Sequence, residues 1–162
     1  MPSFSNNRAV NHSAADMFAL VADVETYPEF VPLCQALRVR RRSQSGEGVE
    51  ILVADMTVAY KLIRETFTSR VTLDRPRLTI HVEYLDGPFS RLDNRWQFRD
   101  LAPASTPGAA PKSDVSFFIS YEFRSRTLGL LMGAMFDAAF RKFADAFERR
   151  ADAVYRNAPR TP

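Results

Sequence analysis

The chain has 162 residues, room for one domain with a single core. Apolar residues make up 46% and charged residues 25%, and the net charge of +3 is too small to argue for nucleic acid by itself; DNA is not an expected partner. A lone cysteine, Cys34, excludes an internal disulfide, and no run approaches the ~20 apolar residues needed to span a bilayer.

Ser3 to Val10 reads as a short strand. Asn11 and Ser13 are good N-cap residues, and Asp16 suits the first turn of the helix that follows. Met17, Phe18, Leu20, Val21 and Val24 give that helix its apolar stripe. It must stop before Pro28, because the residue preceding a proline avoids the α region. Tyr27 to Pro32 is then a rigid turn presenting Phe30 and Val31.

From Leu37 to about Arg126 the period changes to two. Leu37, Val39 and Arg41 open a strand, and the segment around Gly46 and Gly48 is a turn. Val49, Ile51 and Val53 lie on one face of the next strand. Met56, Val58, Tyr60 and Leu62 then carry the apolar face in the opposite phase, so a β-bulge is expected near Ala54 and Asp55. Phe67, Val71 and Leu73 alternate with polar residues until Arg75-Pro76. Leu78, Ile80, Val82 and Tyr84 do the same until Asp86-Gly87-Pro88. Leu92, Trp96 and Phe98 face away from Arg91, Arg95 and Arg99. Ala102 to Ser113 is a flexible hairpin loop by composition, and Val115, Phe117, Ile119, Tyr121 and Phe123 make the clearest strand.

A helix follows from about Thr127 to Arg156, roughly 45 Å long at 1.5 Å per residue. Leu128, Leu131, Met132, Met135, Phe136, Ala139, Phe140, Phe143, Phe147 and Ala151 recur at spacings of three and four, giving one wide aromatic face. Leu130 and Ala134 fall off that stripe. They are either buried under the Tyr27 to Pro32 turn or part of a membrane- or ligand-facing mouth with Phe30, Val31 and Met132. Gly129 and Gly133 predict a close approach of the helix start to the sheet or to a ligand.

These elements define an α+β fold: a curved antiparallel sheet of six to seven strands wrapped around a long C-terminal helix, with an apolar cavity between. Residues 1–157 form the single domain and 158–162 a disordered tail. His12, His81 and Cys34 are isolated, so no metal site is expected. No Gly-rich phosphate loop or nucleophile elbow is present. Period two places most of Asp55, Glu65, Glu83 and Glu122 on the solvent face, so no catalytic residue and no cofactor are expected. The candidate ligand contacts are the inward side chains. The turn supplies Tyr27, Phe30, Val31, Pro32 and Leu33. The strands supply Met56, Val58, Phe67, Val71, Ile80, Val82, Trp96, Phe98, Phe117 and Ile119, and the helix Leu131, Met135, Phe136 and Phe140.

The segment Tyr27-Pro28-Glu29-Phe30-Val31-Pro32-Leu33-Cys34, the run Phe67-Thr68-Ser69-Arg70-Val71 and the Phe-rich terminal helix resemble the coenzyme Q-binding START-like family. That family belongs to the polyketide cyclase/dehydrase and birch-allergen-like helix-grip superfamily. Leu33 stands where its members often carry Trp. The resemblance implies a helix-grip fold that binds ubiquinone or a related isoprenoid lipid. The implied role is a carrier for ubiquinone biosynthesis and respiratory electron transport, cytoplasmic and in transient contact with the inner membrane. Two alternatives stand beside it. One is a ribosome-associated, toxin-like protein that blocks subunit association, with Arg38, Arg40, Arg41 and Arg42 as its contact. The other is a polyketide cyclase or dehydratase.

Overall fold

The computed structural model describes residues 3–101 and 111–156. Strand β1 (Ser3–Val10) leads into α1 (Ala14–Ala22) and a 3-10 turn (Val24–Glu29). Six strands follow: β2 (Cys34–Gln44), β3 (Val49–Tyr60), β4 (Ile63–Asp74), β5 (Thr79–Asp86), β6 (Phe89–Asp100) and β7 (Ser113–Phe123). Helix α2 (Arg126–Arg156) ends the fold. The seven strands form one antiparallel sheet in the order β1-β7-β6-β5-β4-β3-β2. Neighbouring strands from β2 to β7 are consecutive in sequence. β1 and β2 lie at opposite edges, so α1 and the 3-10 turn carry the chain across between them. The expected tail at 158–162 and most of the expected loop at 102–113 lie outside the described residues.

The Ser13 hydroxyl caps α1 by accepting from the Asp16 N–H at 3.1 Å. α1 ends at Ala22, ahead of Pro28 as expected. Residues Val24–Glu29 wind into a 3-10 turn that tolerates it, and the Tyr27 hydroxyl ties the turn back by donating to the Val21 carbonyl. Gly87 is required in the β5–β6 turn. Its φ is +144°, and a Cβ there would sit 2.6 Å from Cβ of Phe67.

Strand β3 corrects the sequence reading. Its core face runs Leu52, Ala54, Met56, Val58 without a phase slip, and it pairs β4 without a register shift. Val49, Ile51 and Val53 are only half-buried. The irregularity sits instead on the neighbouring edge strand, where Arg40 is the extra residue between Val39 and Arg41, opposite Ala54 and Val53. The larger β-branched residues of β3 favour the opposite face by hydrophobicity, whereas the core takes Leu52 and the small Ala54.

The expected pairing of sheet and helix holds. Val58, Phe67, Ile80, Trp96 and Ile119 converge with Phe136, Phe140 and Phe143 on one interior space, while Met135 packs against the core beside it. The helix packs on β1, β7 and α1. Its second half is tied down by polar contacts. Arg8 reaches Glu148 at 3.0 Å, His12 Nε2 lies 2.7 Å from Asp152, and the Tyr155 hydroxyl donates to the Asp16 carbonyl at 2.7 Å.

Of the two readings of the first turns of α2, burial is excluded. Leu130 and Ala134 are exposed rather than covered by the Tyr27 to Pro32 turn, and Leu131 of the stripe is exposed with them. A Cβ on Gly133 would meet nothing, and one on Gly129 would meet Phe123 at an ordinary 3.7 Å. Close approach to the sheet therefore does not account for these glycines.

Phe89 is fully buried and touches the rings of Phe67, Tyr84, Tyr121, Phe123 and Phe136. Phe89→Ala is expected to cost about 3–5 kcal/mol in urea unfolding. Leu62→Ser, at a fully exposed hairpin tip, should change stability by no more than about 0.5 kcal/mol. Similar effects from the two would contradict this core.

Candidate ligand-binding site

The sheet and α2 enclose an apolar cavity of about 120 Å³. A cavity of about 150 Å³ lined by Leu, Ile and Phe holds benzene, so this one is the size of a single ring. Every strand but β1 contributes to its lining, together with the 3-10 turn, the segment that follows it and α2.

Most of the expected contacts meet there. Tyr27, Val31, Pro32 and Leu33 close one side. Met56, Val58, Phe67, Val71, Ile80, Val82, Trp96, Phe117 and Ile119 form the sheet wall, and Phe136 and Phe140 come from the helix. Leu33 sits in the left-handed region at φ 69°, and its carbonyl accepts from the Ala59 N–H at 3.0 Å.

Four expected contacts lie elsewhere. Phe30 packs edge-on against Phe147 at 5.1 Å, with the Arg150 guanidinium 5.1 Å above its ring. Phe98 stacks on Trp96 and meets Phe18 of α1 edge-on, beyond the end of the cavity. Leu131 is 60% exposed at the margin of the helix stripe, and Met135 is outside the lining. The expected mouth formed by Phe30 and Leu130 also fails. Phe147, which holds Phe30, lies about 25 Å along the helix from Leu130 at 1.5 Å per residue, and Met132 is buried.

Other lining residues escaped the sequence reading. Ala54 and Ala139 are small and create the space rather than fill it. Phe89 is turned inward by an irregularity between Phe89 and Arg91. Ser69 and Asn94 share the inward phase of Phe67 and Val71 and of Leu92 and Trp96. The alternation was there to place them, but their polarity argued the other way.

Among the described residues, only four lining side chains carry a nitrogen or oxygen: Tyr27, Ser69, Asn94 and Trp96. The Tyr27 hydroxyl is given to Val21, and burial pushes its pKa well above the usual phenol range. Trp96 Nε1 donates to Asn94 Oδ1 at 3.1 Å, and Asn94 Nδ2 donates to the Phe118 carbonyl at 2.8 Å.

The candidate acids do not line the cavity. Asp55 accepts from the Thr68 hydroxyl at 2.6 Å and faces Arg40 at 3.3 Å. Glu83 pairs with Arg70 at 2.9 Å, and that hydrogen bond holds its carboxyl below the usual range. Glu65 is half-buried and Glu122 exposed. No group of three metal-ligating side chains occurs among the described residues.

The match to known proteins follows this geometry. Residues 10–148 match the family described as polyketide cyclase / dehydrase and lipid transport, and the chain belongs to that family. A Vibrio cholerae protein named "Ribosome association toxin RatA" is 34% identical over 96% of this chain and 99% of its own length. "Coenzyme Q-binding protein COQ10, mitochondrial" from Drosophila melanogaster is 32% identical over 89% of this chain, which spans 56% of that protein. The solution structure of an 18 kDa protein from Caulobacter crescentus superposes with a TM-score of 0.74 at 32% identity, covering 96% of this chain and 99% of that one. A Streptomyces aromatase/cyclase shares the fold at 16% identity and a TM-score of 0.75, covering 99% of each chain.

Cys34 is buried beside the cavity and outside its lining, and burial pushes its thiol up to about 11. The raised value means that its contribution to stability is present at neutral pH and is lost as pH climbs from about 9 toward 11. At pH 8 its thiolate fraction should be about a hundredfold below that of an ordinary thiol. Iodoacetamide labelling of the native protein is therefore expected to be at least that much slower than in urea. Comparable rates would show that the thiol is open.

Proposed function

We propose that this protein holds a ring-bearing isoprenoid lipid of the ubiquinone type and carries it, without converting it, in support of ubiquinone biosynthesis and respiratory electron transport. The observation behind this reading is a ring-sized cavity whose wall, among the described residues, bears no carboxylate, amine, guanidinium, imidazole or thiol. Hiding apolar surface there is favourable by roughly 25 cal/mol per Å². The printed name of the Drosophila relative supports the same ligand class. Polyketide cyclisation needs an acid or base at the substrate, and the Tyr27 hydroxyl is already given to Val21. A long tail exceeds 120 Å³, so it must leave the cavity.

We read one exposed end of the sheet as the place of that transfer. The β3–β4 turn, the end of β5 and the start of α2 all lie at one end of the antiparallel sheet. They expose Tyr60, Leu62, Leu85, Leu130 and Leu131, close in sequence to Lys61, Arg64, Arg124 and Arg126. Apolar side chains amid basic ones suit an anionic bilayer, where each basic residue near the surface adds about 1 kcal/mol.

A second reading is ribosome association. It draws on the printed names of relatives matched over nearly their whole length and on the edge strand β2. Arg38 and Arg41 are exposed there without an ion pair among the described residues. Arg40 is tied to Asp55, and Arg42 to Glu25 and Glu50.

Trp96 is the single tryptophan and lines the cavity, so a short-chain ubiquinone should quench its fluorescence. Ala139→Leu should weaken that binding at least tenfold while the thermal midpoint holds or rises, because the added carbons fill space already present. Absence of quenching, or equal affinity in the variant, would rule out the cavity as the quinone site. Salt-dependent co-sedimentation with ribosomal subunits, lost in an Arg38→Ala/Arg41→Ala double variant, would instead favour the second reading.

A further inference from the structure

Ser69 belongs to the Phe67-Thr68-Ser69-Arg70-Val71 run of β4 and points with Phe67 and Val71 into the cavity. It is 5% exposed, and its Oγ has no hydrogen-bond partner among the described residues. Its cross-strand neighbours leave it so. Ala54 on β3 has nothing to offer. Tyr84 on β5 uses its hydroxyl to accept from the Phe89 N–H at 3.1 Å. The other polar groups of the lining are engaged with Val21, Phe118 and one another. A buried water needs two to four polar partners, and the side chains flanking Ser69 on the cavity face of β4, Phe67 and Val71, and its partner Ala54 on β3 offer none. Buried hydroxyls are almost always paired, because desolvating one without a partner is unfavourable. A serine kept here in place of alanine thus costs stability unless something entering the cavity pairs with it.

We infer that Ser69 is the ligand-positioning residue of the cavity, donating a hydrogen bond from its hydroxyl to a carbonyl oxygen on the ring of the bound molecule. The ligand class is a ring-sized, mostly apolar molecule with an oxygen on or beside the ring, and a pure hydrocarbon is disfavoured relative to it. This rests on the reading of the cavity as a lipid-binding site and deepens it: a quinone would sit with one ring oxygen against β4. Selectivity follows from the same asymmetry. A site built to hydrogen-bond an oxygen rejects the analogue that lacks it, because the hydroxyl is then left buried and unpaired.

The test is a fluorescence titration at Trp96 with two matched probes, butyrophenone and butylbenzene, and with a short-chain ubiquinone. Wild type should prefer the ketone to the hydrocarbon. Ser69→Ala should lower that preference about tenfold, the effect of one hydrogen bond, and Ser69→Thr, which keeps a hydroxyl, should restore part of it. Without ligand, Ser69→Ala should melt no lower than wild type, since it loses an unpaired group. An unchanged preference in Ser69→Ala overturns the inference, as does a destabilised unliganded variant, which would mean that the hydroxyl is already paired. Failure of wild type to bind either small probe overturns it too. A Ser69-dependent ketone preference without ubiquinone binding keeps the inference and rejects the quinone. Ubiquinone bound equally by wild type and Ser69→Ala, with no ketone preference, keeps the quinone and rejects the role of Ser69.

Discussion

Seven strands spaced about 4.8 Å apart span roughly 29 Å, and one helix is only about 10–12 Å across. A single helix cannot cover the apolar face of such a sheet. Most of this architecture follows from that mismatch. The sheet curls toward the helix, and α2 lies against the β1 and β7 side. The chain between β1 and β2 is folded back across the remaining opening as α1 and the 3-10 turn. Aromatic rings bridge what is left: Phe147 meets Trp96, Tyr27 and Phe30, while Phe136 and Phe140 meet the β7 residue Tyr121.

The filling is incomplete where the chain places small side chains. Ala54, Ser69 and Ala139 all lie on the lining. At roughly 24 cal/mol per Å³, a cavity of about 120 Å³ corresponds to about 3 kcal/mol of stability forgone. Larger residues at any of the three positions would recover some of it. A void of that cost in a domain otherwise dense with rings points to a use other than stability. The anchoring of α2 is uneven in the same sense. Its second half is held by Arg8, His12 and Tyr155, while its first turns carry two glycines that no packing contact demands and leave Leu130 and Leu131 outside.

Much of this was legible in the sequence because its signals were periodic. Alternation along β7 and the three–four spacing along α2 gave the sheet, the helix and their contact. Fifteen of the nineteen expected contacts lie on the cavity wall. What stayed illegible turns on depth and register rather than period. Phe98 has the same phase as Trp96, yet α1 fills the space beneath it. The bend expected in β3 belongs to Arg40 on the next strand, and an inserted residue on one strand cannot be told from a phase slip on its partner by hydrophobicity alone. Phe30 sits in a proline-fixed turn and Leu130 in the first turns of α2, and nothing in their apolarity sets the distance between them, which is a tertiary fact. Ser69 was hidden by its polarity, the property that makes it informative once its burial is known.

On the proposed function, a ring enters this interior and stays against the sheet. This is tested most directly by isotope-filtered NMR of the protein with a short-chain ubiquinone bound. Intermolecular NOEs from the ring methyl and methoxy protons to Val71, Ile80 and Phe140, all on the wall, are the result this account predicts. NOEs confined to exposed side chains such as Leu62 and Leu130, with none to those three, would contradict it.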